Sequence, residues 1–156
     1  MSTPDPMEEI RASFFIECEE LLEATQDGLQ QLDDGCADSE TINVVFRAVH
    51  SIKGGAGAFG LKSLVHFAHT YETTLEAVRN GSLEADPALI NLFFRATDHL
   101  SDLVRAARDD DDTPLPMGDT IILELEGRLG TARGLPSPAC VPLPIRWRRV
   151  ACLMAN

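Results

Sequence analysis

With 156 residues, 44% of them hydrophobic, the chain has room for one modest core, and two domains would be crowded. Aromatic residues make up only 6% and no run alternates Val, Ile or Thr with polar residues, which argues against a sheet and leaves an all-helical bundle. The formal net charge is −12, no apolar stretch reaches membrane-spanning length, and the amino terminus opens on Ser2-Thr3-Pro4-Asp5 rather than a basic and then apolar leader, so the expectation is a soluble cytoplasmic protein without membrane insertion.

Asp5-Pro6 reads as a helix cap followed by proline at the first helical position, with Glu8 where a capping-box partner would sit. The first helix then carries Ile10, Phe14, Cys18, Leu21, Leu22, Leu29 and Leu32 to a stop at Asp33-Asp34-Gly35. A second helix, from about Asp38 or Ser39, repeats Ile42, Val45, Phe46, Val49 and Ile52 at helical spacing. His50 falls to one side of that stripe, reachable from solvent. Gly54 and Gly57 follow one and two turns later on the same flank and remove side chains that would screen the imidazole. Each glycine costs about 1 kcal/mol against alanine in a helix interior, and packing alone does not ask for Gly54, Gly55 and Gly57 together.

After Gly60 a third helix places Leu64, Phe67, Ala68, Tyr71, Leu75 and Val78 on one face and stops at Asn80-Gly81. Asp86-Pro87 repeats the opening signal, and a fourth helix runs through Leu89, Phe93, Ala96, Leu100, Leu103 and Val104 to the acidic run Asp109 to Asp112. These four predict an antiparallel four-helix bundle, all-α, with a short fifth helix, about Asp119 to Leu129, packing Ile122, Leu125 and Leu129. Residues 1–130 form the domain on this reading. In residues 131–156 arginines interleave with prolines and no acid occurs, as in a disordered linker or an appended tail; proline-broken arginines are weak evidence for nucleic acid, and no nucleic-acid partner is expected. The four cysteines make no C-x-x-C pair and read as free thiols.

The charge pattern singles out the second helix. No Asp or Glu occurs between Glu40 and Glu72, and Arg47, Lys53 and Lys62 are the only formal charges in that gap. An acidic chain thus keeps one locally positive window, suited to a phosphoryl group or an acidic partner. On the third helix His69 and Glu72 share a flank that can face the second helix, while His66 points away. At 1.5 Å per residue His50 lies roughly 15 Å before the Gly60 turn and Glu72 roughly 18 Å after it, so a hairpin brings them to similar height. A carboxylate bonded to one ring nitrogen would fix the tautomer and leave the other as a free lone pair, as a nucleophilic histidine requires. Lys53 would offset charge on a phosphoryl group attached there.

The run His50-Ser51-Ile52-Lys53-Gly54-Gly55-Ala56-Gly57 with Phe59-Gly60, then His69 and Glu72, resembles the histidine phosphotransfer (HPt) domain at the amino terminus of the bacterial chemotaxis kinases, the CheA family, over roughly residues 8 to 130. The resemblance implies a five-helix arrangement containing a four-helix bundle. It makes His50 the phosphorylated residue, Glu72 its orienting group, and Lys53 and His69 lining residues. It also implies an ATP-binding kinase catalytic domain as donor and response regulators of the CheY/CheB type as acceptors. Any ATP belongs to the donor and any Mg²⁺ to the acceptor, with no cofactor on this chain, which is a phosphoryl carrier without an ATP site while its parent protein is a histidine kinase. An acceptor would dock over the second helix, using the open surface at Gly54 and Gly57 and an apolar rim at Phe59 and Leu61. The alternative is a non-catalytic helical interaction module in which His50 is incidental. A metal site on His66, His69 and Glu72 is disfavoured because they project to different sides of the helix, and a phosphate-binding loop of the G-x-x-x-x-G-K-[ST] kind is absent.

Overall fold

Five helices make up the computed structural model, which describes residues 3, 5–35, 39–111 and 113–133. They are α1 (Pro6–Asp33), α2 (Ser39–Ala58), α3 (Lys62–Arg79), α4 (Pro87–Arg108) and α5 (Pro116–Arg133), with no strand among the described residues. The starts of α1 and α4 follow from the same chemistry. The Asp5 carboxylate accepts the Met7 N–H at 3.1 Å and the Asp86 carboxylate accepts the Leu89 N–H at 2.7 Å, with proline at the first helical position of each. Glu8 gives its backbone N–H to the Asp5 carbonyl, so the cap at this end is Asp5's. Reversals come where φ turns positive, at Gly60 (+69°) after α2 and at Gly81 (+82°) after α3, a region that favours glycine.

Each of the first four helices packs on its neighbours in the order α1, α2, α3, α4 and back to α1, and α5 covers the side formed by α3 and α4. This is the antiparallel bundle expected from the periodicity. Leu29, Ile52, Phe67, Tyr71, Phe93 and Leu100 are fully buried at its centre, each contributing about 2 kcal/mol through apolar burial. The one phenol in that core is satisfied: the Tyr71 hydroxyl donates to the Phe93 carbonyl at 3.2 Å and shares a 2.8 Å hydrogen bond with Thr97. Arg11 ties α1 to the end of α4, donating to the Ala107 carbonyl at 2.6 Å. Arg95 grips Glu124 with two hydrogen bonds of 2.9 and 3.1 Å, and Arg128 reaches the Asp86 cap at 2.9 Å, so α5 is held at two points along its length.

The helices themselves depart from expectation in phase and in length. Ile10 is 56% exposed, and Phe15 is buried instead; with Phe14 and Phe15 adjacent, the apolar pattern of α1 does not settle its own phase. The fifth helix is no short appendix but as long as α3. Its buried apolar side chains are Ile121 and Leu125, whereas Ile122 and Leu129 are half-buried, because Ile121-Ile122-Leu123 offers three successive apolar side chains and only packing against α3 and α4 selects among them. Cys18 is a buried free thiol, pushed up to about 12 first by burial and then by Glu17. Of the linker or tail expected over 131–156, residues 131–133 are instead the end of α5; the remainder, with Cys36, Cys140 and Cys152, lies outside the described residues. No described helix is long and apolar enough to cross a membrane.

Candidate functional site

The seam between α2 and α3 carries one buried carboxylate with two cationic or donating neighbours. Glu72, on α3, has an 11% exposed side chain. Its Oε1 lies 2.7 Å from His50 Nδ1 and its Oε2 lies 2.5 Å from Lys53 Nζ, both from α2. The Lys53 contact has the geometry of an ion pair rather than an aligned hydrogen bond. Burial pushes the Glu72 carboxyl upward, but the close contacts and charge of Lys53 and His50 outweigh it and hold the group below its ordinary range. Glu72 is therefore ionised at neutral pH.

That fixes the imidazole. An ionised carboxylate only accepts, so Nδ1 must carry the hydrogen and donate it. In the neutral ring Nε2 then keeps its lone pair, on a side chain that is 59% exposed. The ring also has company on its face: Phe46, four residues earlier on α2, lies with its centroid 6.0 Å away and its plane tilted by 14°. The Arg79 guanidinium of α3 sits 4.0 Å from the Phe46 centroid, and Arg79 is 3.9 Å from Glu76.

The glycines divide into two kinds. A Cβ built on Gly54 or Gly57 would meet nothing within 4 Å, and both are exposed. At Gly55 it would lie 2.2 Å from Cε2 of Phe14, so that glycine is there for packing: the Phe14 ring rests on bare backbone. Phe59 is half-buried and its ring is 5.3 Å from that of Phe14. Leu61, expected on a docking rim, is only 8% exposed and belongs to the core. The reason is the Gly60 reversal, which turns the next residue under the hairpin while its N–H bonds to the Ala56 carbonyl at 3.0 Å.

His69 does not join the site. It is exposed and lines a cleft with Thr70, Thr73, Glu126 and Leu129 toward α5, and no hydrogen bond, ion pair or ring contact joins it to His50 among the described residues. A residue three before Glu72 is rotated by 60° around α3, enough to carry it from the α2 seam to the open side. His66 is exposed as well, at the edge of a cavity of about 230 Å³ that also borders His99. Among the described residues no three His, Cys, Asp or Glu side chains gather as a metal site would need. Periodicity places Phe46 on the apolar stripe, and it does pack against the core, but periodicity misses that its ring also stacks beside the imidazole with Arg79 over it. The spacings of four residues before His50 and seven after Glu72 are the signals that point to them.

The family model for the Hpt domain matches residues 9–110. The chemotaxis protein CheA of Cereibacter sphaeroides is 52% identical over 126 residues, 78% of this chain and 18% of the relative. CheA of Rhizobium meliloti strain 1021 is 48% identical over 140 residues, 87% of this chain and 18% of the relative. The chain thus spans about a fifth of the length of these curated relatives. Among solved structures, the phosphorylated P1 domain of CheA3 in complex with CheY6 from R. sphaeroides superposes with a TM-score of 0.74 at 23% identity, over 80% of this chain and 98% of that one. That likeness is one of fold.

Proposed function

The chain belongs to the Hpt domain family, and from that premise we propose that it is the phosphotransfer module of a chemotaxis-type signalling kinase, carrying a phosphoryl group on Nε2 of His50. The observation that carries the reading is the 2.7 Å contact between His50 Nδ1 and the buried Glu72 carboxylate, because it leaves Nε2 as an exposed lone pair. In the loading step that lone pair attacks the terminal phosphorus of ATP held by a separate kinase catalytic domain; the new bond is N–P, the bond that breaks joins the phosphorus to the bridging oxygen, and ADP leaves. Positive charge then spreads over the ring while Nδ1 keeps its hydrogen, and Glu72 stabilises that charge. In the unloading step an aspartate oxygen of a response regulator of the CheY/CheB type attacks the same phosphorus. The N–P bond breaks, its electrons return to Nε2, and the carboxylate keeps the imidazole in its starting tautomer.

The supporting electrostatics are local. Lys53 at Glu72 and the acid-free interval around α2 moderate the charge of about −1.5 to −2 that a phosphoryl group brings, and the open surface at Gly54 and Gly57 gives a regulator room to approach. ATP belongs to the donor and Mg²⁺ to the acceptor. On this reading the carrier works in the cytoplasm. The test is a two-step transfer: load the chain with a CheA-type kinase domain and ATP, remove both, then add a CheY-type regulator with Mg²⁺. Label that moves to the regulator, and that never enters a His50→Gln variant, is the expected result. Unimpaired loading of His50→Gln would favour the reading of a helical interaction module with an incidental histidine.

A further inference from the structure

One hydrogen bond at Nδ1 leaves the His50 ring free to rock about the line to Glu72, and rocking sweeps Nε2 through a range of directions. An in-line displacement uses only one of them. The structure supplies a second constraint, on the face of the ring. Side chains on a helix lean toward its amino terminus, so the imidazole of His50 lies over the residue one turn earlier, Phe46. Their planes differ by 14° at a centroid distance of 6.0 Å. Phe46 is half-buried, with one side packed against the core, and the Arg79 guanidinium lies 4.0 Å from its centroid, within the range of a cation–π contact. Glu72 and Arg79 are seven residues apart, two turns of one face of α3. That face therefore meets the imidazole twice, directly at its edge and through Phe46 at its plane.

We propose that Phe46 and Arg79 are positioning residues for His50, holding the imidazole plane so that Nε2 is presented in one direction to donor and acceptor. The proposal rests on His50 being the phosphoacceptor. A merely structural reading of Arg79 is available, since it is a cation in the last turn of α3, where it complements the helix dipole; that reading predicts no effect on His50.

The experiment uses the whole chain and the variants Phe46→Leu, Arg79→Gln and Arg79→Lys, with phosphoramidate as a small phosphoryl donor so that docking of a kinase plays no part. Three quantities are read: the rate of phosphorus incorporation by ³¹P NMR, the ring-proton shifts of His50, and the melting temperature. Phe46→Leu and Arg79→Gln should each slow incorporation about two- to fivefold and move the His50 ring-proton shifts, with melting nearly unchanged. Arg79→Lys, which keeps a cation over the ring, should recover most of what Arg79→Gln loses. Unchanged rates and shifts in Phe46→Leu and Arg79→Gln overturn the clamp, as does a slowing that merely tracks the melting temperature through all three variants. If the unaltered chain takes no label at His50, the phosphocarrier reading falls separately, and the clamp is decided by the ring-proton shifts alone: moved in both variants sustains it, unmoved overturns it.

Discussion

Replacing Glu72 by Gln keeps the shape of the side chain and removes its charge, and the geometry dictates the consequence for the imidazole. Two donors, His50 Nδ1 at 2.7 Å and Lys53 Nζ at 2.5 Å, face two carboxylate oxygens. A glutamine offers one oxygen and one NH₂. The Lys53 ammonium has no use for a donor and holds the oxygen, so the NH₂ turns to Nδ1, which must then accept. The ring proton moves to Nε2 and the exposed lone pair is lost. Loss of an orienting partner of this kind typically costs about ten- to a hundredfold in activity, and we expect that range for phosphorylation of Glu72→Gln. Stability should move little: the amide gives up the pairing with His50 and Lys53 but also the cost of burying a charge at a side chain only 11% exposed, a net of about 1 kcal/mol or roughly 3 °C for a chain of this size. Long-range ¹⁵N NMR reads the tautomer, ³¹P NMR the rate, and calorimetry the melting temperature. An unchanged tautomer with an unchanged rate, or a collapse of the fold that drags the rate with it, would refute the reasoning.

Gly54→Gln should hold or raise the melting temperature, since glycine costs up to about 1 kcal/mol in a helix and nothing lies within 4 Å of the added Cβ, while transfer to a regulator slows severalfold; normal transfer would remove the steric role assigned to this glycine. Gly55→Ala should do the opposite, losing about 1–3 kcal/mol because its Cβ would meet the Phe14 ring at 2.2 Å, seen as a melting temperature lower by several degrees. His99 is 5% exposed and burial depresses its pKa below the ordinary 6.5. The folded chain therefore binds that proton less well than the unfolded one, and the resulting stability, complete above about 6.5, drains as pH falls through the window beneath it. Urea titrations across that window should show the decline, and His99→Gln should flatten it. The depressed carboxyl of Glu72 has the same sign at lower pH: its contacts to His50 and Lys53 persist through the ordinary carboxylate range and break only below it.

What the sequence alone made legible was whatever a period and a cap can encode. Asp5-Pro6 and Asp86-Pro87 marked two helix starts, the glycines at 60 and 81 marked two reversals, and the heights of His50 and Glu72 along their helices came from a constant rise per residue. Rotation was harder. A 60° step separates Glu72 in the seam from His69 outside it, and adjacent apolar residues such as Phe14-Phe15 and Ile121-Ile122-Leu123 leave the phase of a helix to be settled by its neighbours. Leu61 was misjudged because a left-handed glycine before it reverses the chain, and direction after such a turn is a property of three dimensions. Gly55, grouped with Gly54 and Gly57 as more glycine than packing asks for, proves to be a seat for Phe14. For the stack of Arg79 and Phe46 beside His50, the spacings put each residue on the right flank of its own helix, but that the two flanks meet depends on how the helices pack.

The central claim is that Nε2 of His50 is the atom that carries phosphorus. It is tested most directly by phosphorylating ¹⁵N-labelled chain and recording which ring nitrogen couples to ³¹P. Coupling to Nε2 of His50 alone is expected, with Nδ1 still protonated against Glu72 and no acid-labile phosphate in His50→Gln. Phosphorus on Nδ1, or on His66, His69 or His99, would contradict it.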